Sequence, residues 1–183
     1  MPLNTIPLPY GLRDIRLTPY TDAAATTLGT PVDLPYGRTL NFSEAEDFEE
    51  LRGDDKVITT RGKGAQVEWE LESGGISYEA VAIMFGGTVG TTGTTPNQIK
   101  TLRKLVTQAR PWFKMEGQSI SDSGGDIHCV LYKCRSTGEL SGEFGDGVFF
   151  LTGASGVAIP ATLSGFIDAI YDFVQNETAT AIP

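Results

Sequence analysis

The hexapeptide Val67-Glu68-Trp69-Glu70-Leu71-Glu72 alternates apolar and acidic residues without a break. In an extended chain successive side chains point to opposite faces, so Val67, Trp69 and Leu71 take one side and the three glutamates the other. That is a strand with one face in a core and one in water, the pattern of an antiparallel sheet. Upstream, Leu40 and Phe42 alternate against Thr39, Asn41 and Ser43, residues 57–60 form a short strand, and Gly62-Lys63-Gly64 reads as the turn before the hexapeptide. Residues 1–36 hold six prolines and one periodic piece, Leu12 to Thr18, which predicts an extended arm containing a short strand. An arm with so few core residues is either a loose terminus or a segment that docks on a neighbour.

Downstream, the period changes over residues 76–87. Ser77 is placed to cap a helix, Glu79 sits in its first turn, Ile76 can staple onto Val81 and Gly86 offers the C-cap. Residues 86–97, Gly and Thr with one Val and then Pro96-Asn97, read as a loop that stays flexible unless a partner orders it. Strands are expected again at 99–107, 112–118, 127–134 and 148–152, separated by turn-rich stretches at 119–126 and 142–147. Leu163, Phe166, Ile167, Ile170 and Val174 follow helical spacing and predict a helix over 163–176, with an alternating reading through Ile167, Ala169, Tyr171 and Phe173 in competition.

The 183 residues are 40% hydrophobic, which suits one globular domain over 1–183. No run reaches the ~18 apolar residues of a membrane span, and Met1-Pro2-Leu3-Asn4 does not begin a signal pattern, so the expectation is a soluble protein made in a cytoplasm. A net charge of −9 argues against affinity for nucleic acid through phosphate neutralisation. Cys129 and Cys134, five apart in a strand, should face opposite sides as reduced thiols.

Charge is segregated. Glu44, Glu46, Asp47, Glu49, Glu50, Asp54 and Asp55 stand against Arg52 alone between 44 and 55, a net of −6, whereas Lys100, Arg103, Lys104, Arg110 and Lys114 run without an acid. The two blocks are either solvated surface on different loops or complementary patches through which one copy binds the next, head to tail.

Catalytic and metal readings fail on composition. His128 is the single histidine, and the neighbouring Cys129 points to the other face of a strand, so a nucleophilic pair is poorly set up. One His and two Cys match no zinc motif, Asp122-Ser123-Gly124-Gly125-Asp126 reads as a hairpin turn rather than a calcium loop, and the glycines of 86–93 lack a following Gly-Lys-Ser or Gly-Lys-Thr. Arg52-Gly53-Asp54 is ordinary turn chemistry, and Asn41-Phe42-Ser43 and Asn176-Glu177-Thr178 have no expected use as glycan acceptors. No catalytic residue, metal or cofactor is expected, and a hydrolase using the carboxylate cluster ranks last.

Longer blocks carry a resemblance: Leu8 to Asp14, Ser43 to Asp55, Val67 to Ser77, Glu116 to Asp126 and Gly147 to Thr152. In order and wording they resemble the major tail protein of long, noncontractile-tailed bacteriophages of actinobacteria. The resemblance implies a β-sandwich of the tail-tube fold with one or two flanking helices. It also implies strands that close an intersubunit β-barrel, and hexameric rings stacked into a tube through which DNA passes without specific binding. Tape measure, tail terminator and distal tail proteins are the implied partners and the virion tail the implied location. Some members carry an additional immunoglobulin-like domain, for which this reading leaves no room before Pro183. On this reading Glu44 to Asp55, or Glu68, Glu70 and Glu72, line the lumen or meet the basic block of the next ring. A monomeric carbohydrate- or protein-binding β-sandwich, with a cleft rimmed by Tyr10, Tyr20, Tyr36 or Trp112, is the alternative.

Overall fold

The computed structural model describes residues 6–182. It contains β1 (Asp14–Pro19), β2 (Val32–Asp33), β3 (Gly37–Gly53), β4 (Lys56–Gly74), α1 (Tyr78–Phe85), β5 (Thr88–Thr92), β6 (Ile99–Arg103), β7 (Phe113–Ile120), β8 (Asp126–Ser136), β9 (Leu151–Ala158) and β10 (Tyr171–Asn176). The chain is mainly β, and every strand pair is antiparallel. One sheet runs β2-β1-β7-β8-β9-β4-β3 with β10 added on β8, and β5 and β6 form a separate hairpin.

The alternation of the hexapeptide is realised in full: Val67, Trp69 and Leu71 are buried while Glu68, Glu70 and Glu72 are not. These side chains join Ile15, Leu17, Phe113, Met115 and Leu131 in one core, so the β4–β9 part of the sheet folds over the β1–β7–β8 part. Trp69 meets Phe113 edge-on at 5.7 Å. Gly117 lets Leu40 of the facing layer approach; a Cβ there would collide with the Leu40 side chain. Helix α1 closes one end with Ala80, Val81, Met84 and Phe85, and its Ser77 cap accepts a hydrogen bond from Ala80 N at 3.3 Å. The layered, antiparallel arrangement is consistent with a sandwich.

Several expectations are corrected. Residues 14–34 are not an arm awaiting a neighbour, because Ile15, Leu17, Tyr20, Ala25 and Leu34 are buried in this chain's own body; residues 1–5 of the expected arm lie outside the described residues. Gly62-Lys63-Gly64 is not a turn but sits within β4, beside an irregularity in its ladder with β3. The turn is Asp54-Asp55, whose φ values of 49° and 62° suit a two-residue hairpin connection. The 86–97 stretch is ordered within the chain: Thr88–Thr92 pairs with Ile99–Arg103, and Leu102 packs on the core. β-Branched threonines favour that extended state.

The helix expected over 163–176 does not form. Turns occupy residues 163–168, Asp168 takes a positive φ of 64°, and Tyr171–Asn176 pairs as β10 with Asp126–Leu131. Pairing with an otherwise bare edge of β8 outweighs local helical spacing, and of the alternating reading only Tyr171 and Phe173 lie in the strand, Ile167 and Ala169 preceding it. Cys129 and Cys134 do not face opposite sides. Phe113 opposes Cys134 and Met115 opposes Leu131, so β8 spends three residues where β7 spends two. This bulge resets the alternation, so Cys129 packs against the same cluster as Leu131 and Cys134, and both cysteines are free thiols.

Candidate assembly surface

Three surfaces follow from the β3–β4 hairpin. The first is the ribbon itself. β9 pairs β4 only over Val67–Gly74, so among the described residues the ladder from Glu46–Ala65 to Gly53–Lys56 has no third strand. Along it Phe48, Leu51, Val57 and Ile58 are exposed. Phe48 opposes Gly62 and Leu51 opposes Thr59 in an unbroken register, so apolar side chains leave both faces. A two-stranded ribbon is marginal in water on its own.

The second is the outer edge of β3. It is the last strand of the sheet and is 17 residues long, against a usual length of about five or six. Its edge groups have no strand partner among the described residues. A bare edge of that length is a template for another chain, and its acids discourage indiscriminate pairing.

The third is the outward face of β4, where Glu68, Glu70 and Glu72 form a row spaced by roughly 7 Å. Their cross-strand neighbours are Ser43, Asn41 and Thr39 on β3 and Val157, Ser155 and Gly153 on β9. A groove of about 560 Å³ of mixed lining runs over this face, with Asn41, Ser43, Glu68, Glu70 and Ser155 beside Phe42 and Val157. Arg38, 3.1 Å from Glu72, is the cation paired with this row.

The expected acidic block is therefore a strand and its turn rather than a loop. Glu44, Glu46, Asp47, Glu49 and Glu50 lie on β3, and Asp54 and Asp55 form the tip. Lys56, Arg61 and Lys63 return on β4, so the ribbon over 44–65 carries a net of −3 rather than the −6 of the acidic strand alone. Lys63 pairs with Glu49 at 3.4 Å, Arg52 with Glu50 at 2.6 Å, and the Tyr171 hydroxyl donates to Glu44 at 2.8 Å.

The basic block is largely engaged within its own chain. Lys100 pairs with Glu79. Lys104 Nζ donates to the carbonyls of Phe85 and Gln108 at 2.6 and 2.7 Å, capping α1. Arg110 donates to Ser136 and Gly138 and covers the Phe85 ring, and Lys114 meets Glu116 at 2.7 Å. Arg103 is exposed on β6. These residues hold the fold, which weakens the pairing of a basic patch with a neighbour's acidic one.

The single histidine belongs to a clamp on the C-terminal segment. Thr180 N donates to Asp126 Oδ2 at 2.9 Å, Gln118 donates to Asp126 Oδ2 and to Thr180 O, and His128 Nε2 lies 3.0 Å from Thr180 O. Arg16 donates to Ile182 O, and Ile182 is buried. Burial alone would raise the Asp126 carboxyl, but donors from Thr180, Gln118, Asn176 and His128 outweigh it and hold it below its ordinary value. Of the aromatics considered for a ligand cleft, Tyr20 is buried with its hydroxyl on Tyr132 O, and Trp112 lies under the Arg135 guanidinium at 3.7 Å; Tyr10 and Tyr36 are exposed.

Sequence reading missed the ribbon's length because Gly62 to Gly64 imitate a turn. The signal that could have found it is the turn chemistry of Gly53-Asp54-Asp55 followed, past Lys56, by the β-branched run Val57 to Thr60. Among the described residues no helix is long and apolar enough to cross a membrane, and no cluster of three potential metal ligands occurs. No protein-family model matches the chain, and no curated protein matches it.

Proposed function

We propose that this chain is a structural subunit that polymerises with copies of itself into a tube, the tail tube of a long noncontractile-tailed phage. Hexameric rings stack in that tube around a channel for DNA. The observation that carries the reading is the β3–β4 ribbon, two strands long enough to leave the body and apolar on both faces, with no covering strand among the described residues. Surface of this kind is stable when a neighbour covers it. The long bare edge of β3 supports the same reading, since joining strands across subunits into a closed barrel removes edges.

The acidic face of β4 supports a DNA channel. Carboxylates repel a polyanion and let it slide, whereas lysines and arginines would hold its phosphates. Glu68, Glu70 and Glu72 are accordingly the lumen residues of this proposal, and the residues of the ribbon are its contacts between copies. The role is structural rather than catalytic. Tape measure, terminator and distal tail proteins would be its partners in the virion tail.

A monomeric carbohydrate- or protein-binding sandwich remains the competing function, but two of the four aromatics it would need are already occupied. Negative-stain microscopy and sedimentation of concentrated protein decide between them. Rings or tubes are expected; monomers at every salt and protein concentration would overturn the proposal.

A further inference from the structure

We infer that the tip of the β3–β4 ribbon of one copy seats in an apolar groove at the opposite end of the same two strands in the next copy. The inference rests on the assembly reading above and names the surface that assembly would use. The groove, about 520 Å³, lies where β3 begins and β4 ends and is walled by Tyr36, Val148 and Phe149, with Arg38 on its lining. Tyr36 is 81% and Phe149 95% exposed. In the adjoining loop Phe144, also exposed, meets Phe150 with the rings tilted and their centroids 4.7 Å apart. Scattered apolar residues on a surface are ordinary, but aromatics gathered around one hollow mark a contact site.

A second copy is the occupant for four reasons. The 17 residues of β3 at ~3.3 Å each separate groove and turn by roughly 55 Å, so a chain cannot fill its own groove. Apolar side chains on both faces suit the ribbon to insertion in a cleft rather than to lying on a flat surface. Asp54 and Asp55 lead the ribbon, and the groove offers the Arg38 guanidinium, held in place by Glu72 yet reachable from solvent. Tip and groove are different surfaces, and a contact between different surfaces repeats in one direction instead of closing as a twofold dimer. Two acid-rich β3 edges, by contrast, repel each other.

The test uses two full-length variants. Phe149→Glu blocks the groove and leaves the ribbon; Ile58→Glu blocks the ribbon and leaves the groove. Both side chains are exposed, so thermal unfolding should match the wild type. Burying an unpaired carboxylate should raise the critical concentration for polymerisation by roughly a hundredfold in each variant. In sedimentation velocity each variant alone should remain the unpolymerised unit, and an equimolar mixture should form pairs of units and nothing larger, because only one productive contact is left. Polymerisation of Phe149→Glu at the wild-type concentration would overturn the inference while leaving the tube reading standing, as would a mixture no heavier than its components. A wild type that never polymerises would overturn the tube reading, and the mixture would still decide whether tip and groove bind.

Discussion

Replacing Phe48, Leu51 and Ile58 together with serine should separate assembly from folding. These side chains keep 65, 59 and 64% of their surface exposed in the monomer, so well over half of each hydrophobic gain is still unrealised. Fully burying a side chain of this size is worth about 1.5–3 kcal/mol, which leaves ~1–2 kcal/mol per residue for a contact with a neighbour. The three together then supply ~3–5 kcal/mol to each contact, or about two to four decades in its association constant. The portion already buried in the monomer is worth ~2–3 kcal/mol over the three, and a change of ~1 kcal/mol moves the melting temperature of a chain this long by about 2–4 °C. The expected result is a critical concentration raised at least a hundredfold, seen by sedimentation, with a melting temperature lowered by no more than about 12 °C when measured below the assembly threshold. Unchanged assembly would refute the reasoning, and so would a collapse of the monomer fold, which would mean that the ribbon belongs to the core.

Truncating Trp69 to alanine removes a buried ring wedged against Phe113 and should cost ~3–5 kcal/mol, lowering the melting temperature by roughly 10 °C or more; a fall under about 3 °C would contradict the core assignment. Asp126 is held below its ordinary value in the folded state, so its contribution is fully present above the unfolded value near ~4 and is lost as pH falls through the lower folded value. The protection factor of the Thr180 amide against exchange should therefore be high at neutral pH and fall in acid. Asp126→Asn should flatten that acid dependence, and an unaltered profile would remove Asp126 from the clamp. Burial pushes the Cys129 thiol up to about 12 and the Cys134 thiol well above its ordinary value. Both should resist a thiol reagent at pH 8 in the native protein and react together on unfolding, so rapid native labelling of Cys134 would count against its placement. Lys104→Ala should weaken the C-terminal turn of α1 by ~1 kcal/mol without altering assembly, as read by thermal melts and sedimentation.

What could be read directly from sequence was whatever depends on local periodicity. Val67 to Glu72 alternates because one face meets Phe113 and Leu17, and the helix after Ser77 starts and stops where its caps stand. What could not be read depends on register. Nothing local to Leu131 and Cys134 announces the extra residue that brings both onto one face. The helical spacing from Leu163 to Val174 is genuine as a pattern, but the edge of Asp126–Leu131 that overrides it lies about 40 residues away in the chain. The charge blocks were visible while their partners were not. Lys104 and Arg110 look like a free basic surface until the ends of α1 and β8 arrive beside them as carbonyl acceptors.

The place of β10 in the sheet also sets a timetable for synthesis. The β3–β4 hairpin joins neighbouring stretches of chain through a two-residue turn and can close in microseconds, early in translation. The strand that covers the Asp126–Leu131 edge is made later, and at a ribosomal pace of about 5–20 residues per second the interval from Ser136 to Asn176 lasts seconds. For that time a nascent chain displays its adhesive ribbon beside an unsealed sheet edge. Polysomes crowd such chains together, so growth conditions that slow elongation should raise the insoluble fraction more steeply than heating the finished protein would suggest.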